Sequence, residues 1–445
     1  MISLDISRAS GAQGRSVSFA LHLLFLVSCQ DPNSSSGSAQ DFDTAKHIST
    51  FSASDFQSPE AATAAADAQP EGAVATTCQA KKSDLAFANG VVQIMYARSL
   101  NAEERAAMTR PDFSRPAFVD NVLKSPDAHT GITRFVSNLL RVATLEPSLD
   151  GDRAQVAKEA MLVAHLKKEP VELVLRNLQR PWPWFFTTQD IYCTKETGKL
   201  YGIDIYDTNG FVACHLPADR AGLLGLASVL RANPSSFNLT NNNYHRVAFA
   251  TYLAKGIRLL SATNAPAGDG LGIPLPLCVP STDMRTDRNG TAFGTALVPQ
   301  QGSTCAQCHS HYNAPMSVAF RRFAADGTTF SFADIDAMNQ DQLNGANPDL
   351  LKALLNETES CWSHSDKLPP RAYNGLPGLA RLISEAPSLA QALGIQVPQM
   401  LANMEPDESM QAAIASQYET NGKTLLAAFK GFFLSDSFQC SAKGE

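Results

Sequence analysis

The most specific chemistry in the sequence lies in Cys305-Ala306-Gln307-Cys308-His309. Two thiols at i and i+3 on one helical turn match the two vinyl groups of a haem. A histidine directly after the second thiol can reach the iron as proximal ligand. One Cys-x-x-Cys-His is present, so the expectation is one covalent haem c per chain. Two plainer chemistries use the same residues. Cys305 and Cys308 could close a small disulfide in an exported protein, leaving His309 incidental. Alternatively, Cys305 and Cys308 with Cys361-x-x-His364 have zinc-ligand arithmetic, which leaves His309 unused.

The sixth iron position has several candidates. Met316 lies seven residues past His309, close for a wrap to the far face, and His311 is closer still. His245 and His364 are distant in sequence and unconstrained. Met338, Met400, Met404 and Met410 are further candidates, although methionine at helical spacing usually fills core. His245 and Met316 are the favoured distal ligands. An open sixth position would instead permit ligand binding or peroxidase-type chemistry.

The remaining cysteines suggest an address and a compartment. Arg8 and Arg15 precede an apolar run, Val17–Val27, of signal-peptide length. Leu26-Val27-Ser28-Cys29 resembles a bacterial lipoprotein box, which implies cleavage before Cys29 and its lipidation. Residues 30–77 are acidic, Ser- and Ala-rich and aperiodic, as expected of a solvated tether. As a random coil such a tether spans about 40 Å. Cys78, Cys193, Cys214, Cys278, Cys361 and Cys440 are then an even set, suited to disulfides in an oxidising compartment. Cys214-His215 also invites a nucleophile/base reading, with a disulfide cysteine as the simpler one.

Positioning these residues requires a large folded body. The chain has 445 residues, 44% of them hydrophobic, and a net charge of −7. That excludes wholesale disorder, and the absence of a Lys/Arg cluster argues against nucleic acid as a partner. From Cys78 onward the apolar period is helical. Asn101-x-x-Glu104 has capping-box form; Ser114 with Pro116, and Asp152, open further helices. Glu169-Pro170 reads as the start of another helix, stopped by Pro181-Trp182-Pro183. Arg220–Arg231, Asn243–Leu260, Leu350–Leu355 and four segments between 377 and 434 complete the helical set. Residues 261–303 read as a long structured loop, and short β hairpins are expected near Tyr201–Phe211 and Thr328–Phe332. The fold class is therefore mainly α: multi-helical domains with the haem c segment in a loop-rich region. The organisation expected is signal 1–29, tether 30–77, an N-terminal helical domain 78–213, a haem-binding domain 214–335 and a C-terminal helical domain 336–445.

At three places the chain resembles a family of bacterial extracytoplasmic, cytochrome-like proteins assembled from domains of unknown function. The first is Phe185-Phe186-Thr187-Thr188 with Tyr192, followed by Arg220-Ala-Gly-Leu-Leu-Gly-Leu-Ala-Ser and His245-Arg246. The second is Cys305–His309 with Ala319-Phe320-Arg-Arg-Phe323-Ala-Ala-Asp326-Gly327. The third is Tyr373-Asn-Gly-Leu-Pro-Gly-Leu-Ala-Arg-Leu with Leu425–Phe438. Ala248 stands where that pattern has glycine, and Asn313-Ala314-Pro315 where it often has Asp-Pro. The resemblance implies an envelope location, haem binding and electron transfer to a redox partner protein, with the membrane reached through the lipid anchor. Phe320 and Phe323 are candidates for the haem-pocket wall or for plain core. A haem-dependent peroxidase and a haem-free, disulfide-stabilised surface-binding lipoprotein are the alternatives.

Overall fold

The computed structural model describes residues 81–206, 210–233, 244–256, 318–337, 348–356, 358–362 and 371–440. Its elements in chain order are α1 (Asp84–Tyr96), α2 (Ala102–Ala107), α3 (Arg115–Lys124), α4 (His129–Leu139), α5 (Arg153–Leu175) and α6 (Trp184–Thr187). Then come β1 (Asp190–Cys193), α7 (Lys195–Leu200), β2 (Val212–His215), α8 (Gly222–Gly225), α9 (Ala227–Ala232), α10 (Tyr244–Lys255), α11 (Phe332–Asp336) and α12 (Pro348–Asn356). The last are β3 (Glu359–Trp362), β4 (Arg371–Asn374), α13 (Gly375–Ser384), α14 (Leu389–Ala402), α15 (Glu408–Thr420), α16 (Leu425–Leu434) and α17 (Asp436–Gln439). The protein is mainly helical, with two small antiparallel hairpins, β1–β2 and β3–β4, among the described residues. Among the described residues no helix is long and apolar enough to cross a membrane.

Local chemistry explains many of the boundaries. Asn101 and Glu104 form a reciprocal capping box at α2, each side chain accepting the other's backbone N–H. Asp152 accepts from Gln155 N–H at 2.9 Å to open α5. Pro170, however, does not begin a helix; it lies inside α5, which runs unbroken for 23 residues. An interior proline costs about 3 kcal/mol through its missing N–H and ring clash. Burial of Leu166, Val171, Leu173 and Val174 on the same stretch offsets that cost, at about 1.5–3 kcal/mol per fully buried side chain.

The hairpins also fall elsewhere than expected. Tyr201 closes α7 rather than opening a strand, and β2 starts only at Val212, pairing back to β1. Around Thr328, one isolated bridge joins Phe323 to Thr329, and Ser331 caps α11. The competing local interaction at that point, a capping box between Ser331 and Asp334, takes the chain into helix.

The core joins residues far apart in sequence. Helix α1 packs with α3, α3 with α16, and α4 with α14. Phe135 meets Phe429 edge-on at 5.0 Å between ring centroids, and Phe87 meets Phe438 at 5.9 Å. At the rim, Lys82 N–H donates to Gln439 O at 2.8 Å. Helices α8, α9 and α10 pack onto α6, α5 and α14 and extend this core toward 318–329.

Candidate functional site

Cys29, Cys305, Cys308, His309, His311, Met316, Met338 and His364 lie outside the described residues, and His245 falls in the first turn of α10. The structure therefore describes the frame on either side of the Cys-x-x-Cys-His segment, with described residues stopping at Gly256 and resuming at Val318. Arg246 links these two sides. Its guanidinium donates to Phe323 O at 2.6 Å, to Ala324 O, and to Leu230 O at 3.3 Å. It is buried, and burial together with the like charge of Arg220 pushes its pKa down to about 9.

Arg220 holds the same turn from the other side. It donates to Gly225 O at 2.9 Å, Gly327 O at 2.6 Å and Thr329 Oγ1 at 3.1 Å. The guanidinium carbon lies over the rings of Tyr201 (5.0 Å) and Phe323 (4.8 Å), within cation–π reach of both. Two glycines make the approach possible. Gly222 has φ +43° and a Cβ there would overlap the Phe185 carbonyl; Gly327 has φ +87° and abuts Ala227. Phe320 and Phe323 are both buried in this region.

A third buried charge completes the cluster. Glu169 is fully buried on α5 and accepts from Tyr201 Oη at 2.6 Å and from Ser228 N–H at 3.2 Å. Tyr201 Oη in turn accepts from Ala227 N–H at 2.8 Å, so its own proton points to Glu169. These contacts cap α9 from a distance. Its N-cap, Leu226, offers no side-chain acceptor, and the free N–H groups of Ala227 and Ser228 are satisfied by Tyr201 and Glu169. This is why the helix expected over Arg220–Arg231 is split at Leu226: Gly225 O is taken by Arg220, and the chain turns to present new donors. Burial raises the pKa of Glu169, against the lowering hydrogen bonds of Tyr201 and Ser228 and the charge of Arg220. Burial also holds the Tyr201 phenol well above its ordinary value.

No known protein family, curated protein or solved structure matches the chain. The cysteines nonetheless narrow the chemistry. Cys193 and Cys214 form a disulfide across β1–β2, with Cα atoms 6.0 Å apart, and Cys361 and Cys440 each take part in a disulfide. All four cysteines among the described residues are thus oxidised. The Cys214 thiol is consumed, and His215 Nδ1 pairs instead with Asp190 at 3.0 Å on the opposite strand, so that couple is no nucleophile and base. The Cys361 sulfur is likewise taken, which removes it from a zinc set with His364. Met410 is fully buried in the core, and Met400 and Met404 pack against it, as structural methionines do. Among the described residues no trio of His, Cys, Asp or Glu could hold a metal.

Sequence reasoning missed Glu169 and Tyr201. A glutamate on the apolar face of α5, directly before a proline, was the available signal, but its partners lie 32 and 59 residues away.

Proposed function

We propose that the chain is a lipid-anchored, monohaem c-type cytochrome-like protein that passes single electrons at the bacterial cell envelope, like the extracytoplasmic proteins it resembles. The observation that carries this reading is Cys305-Ala306-Gln307-Cys308-His309, two thiols and an imidazole at the spacing that one macrocycle demands. The donor set fits haem c by its chemistry. Oxidation of every described cysteine adds support, since disulfides belong to the exported compartments in which haem c is attached.

Bound haem would supply reversible one-electron chemistry. Cys305 and Cys308 would hold the macrocycle by thioethers and His309 would hold the iron, with His245 or Met316 as the distal candidates. The chain's own contribution is a rigid border. Arg246 and Arg220 anchor residues 323–329, downstream of His309, to α9 and α10, upstream of Cys305. Cys29 would carry the lipid, leaving the acidic 30–77 segment to space the body from the membrane.

The test is to express the full chain in a bacterium with haem-attachment machinery and purify it from the envelope. The expected protein shows a c-type reduced α-band that survives acid-acetone extraction, and C305S/C308S abolishes it. Fully folded, disulfide-bonded protein without covalent haem would refute the reading and favour a haem-free binding lipoprotein. A carbon-monoxide-sensitive spectrum would move it toward a haem enzyme with an open distal side.

A further inference from the structure

The Glu169 cluster does more than fill space. Among the described residues, the groups whose charge or hydrogen bonds bear on its carboxyl are Tyr201 after α7, Ser228 on α9 and Arg220 before α8. The other ionisable groups around it are engaged elsewhere. His165, one turn back on α5, bonds Thr194 Oγ1 and Glu196; Glu172 pairs with Arg176; Arg231 on α9 pairs with Glu159. The hydroxyl of Ser228 is buried beside the carboxyl, where it can donate to the carboxylate or accept a carboxylic proton. A carboxyl enclosed in this way, holding the first two N–H groups of a helix directly and through a tyrosine, joins the docking of that helix to a proton.

From this geometry we infer that Glu169 and Tyr201 form a proton-sensitive latch that holds the Arg220–Ala232 segment onto α5. In the closed latch, Glu169 carries a proton over a pH range in which it would be ionised if exposed. The cause is burial, which outweighs Tyr201, Ser228 and Arg220. Opening exposes the carboxyl and releases that proton. The latch is therefore tight below the ordinary glutamate range and loosens as pH rises toward the raised value. Because Arg220 belongs to the latched segment and holds Gly327 and Thr329, loosening also releases the 327–329 turn. This inference does not depend on haem.

Hydrogen exchange of the full chain, read by mass spectrometry on peptides covering 217–232 and 323–330, tests it. After correction for intrinsic exchange, the wild-type opening constant should rise by up to about tenfold per pH unit within one window, the signature of a single released proton. E169Q keeps the acceptor oxygen without the titration, so its opening should be flat with pH. Y201F removes a hydrogen bond that favours the charged carboxylate in the closed state, so the upper edge of its window should move to higher pH. Wild-type opening without pH dependence, or the same dependence in E169Q, overturns the latch. If E169Q does not fold, an unmoved window in Y201F overturns it.

Discussion

Replacing Arg220 with methionine is the sharpest test of the frame. The side chain is fully buried, and the substitution keeps comparable apolar bulk, so the cavity term is small. What disappears is the guanidinium. The carbonyls of Gly225 and Gly327 lose their donors, and an orphaned buried acceptor costs about 1–3 kcal/mol. Stacking against Tyr201 and Phe323 is lost as well, at about 0.5–2 kcal/mol for each ring. Relief of the repulsion with Arg246 offsets part of this. The net expectation is a loss of about 3–5 kcal/mol, carried by the two orphaned carbonyls and the two lost ring contacts. Urea unfolding of the full chain at pH 7, with unchanged m-value, measures it. R220K should recover only part of the loss, since one ammonium cannot reproduce a planar fork reaching two carbonyls. A loss in R220M below about 1 kcal/mol would show that these bonds merely decorate a frame held by apolar packing, and the reasoning would fail.

Other perturbations have equally definite outcomes. G222A forces a side chain into the left-handed region and against the Phe185 carbonyl, so it should destabilise the chain by about 3 kcal/mol or more, visible as a lowered Tm. Breaking Cys193–Cys214 with paired serines removes a cross-link of sequence separation 21, worth about 3 kcal/mol by chain entropy; non-reducing denaturation should show it. Combining R220M with R246M should depart from additivity by more than about 0.5 kcal/mol, because the two like charges act on one turn, and a double-mutant cycle reads this directly.

Where the determinants were local, the sequence was readable. Asn101 with Glu104, Asp152 before α5, and the apolar periods of α1, α13, α15 and α16 each carry their own start, stop or face. Three readings failed for one shared reason. Pro170 continues a helix, Leu226 interrupts one, and strands form at 190–193 and 212–215, because partners from other elements outweigh the local preference. Around Leu226 these partners are Arg220, Tyr201 and Glu169, which take the carbonyl and N–H groups that a continuous helix would have paired internally.

By itself the sequence determined the mainly helical class and supplied the Cys-x-x-Cys-His chemistry on which the functional proposal rests, since both depend on spacing within a turn or two. It also implied that the other cysteines would be paired. Only the tertiary structure decided that Cys193 bonds Cys214, and that two arginines and one glutamate, spread over 78 residues of chain, share a single interior cluster. The physical reason is the cost of burying charge. A guanidinium or carboxylate enters a core only where distant carbonyls, hydroxyls and N–H groups converge to receive it, and such convergence is a property of packing that no local spacing encodes.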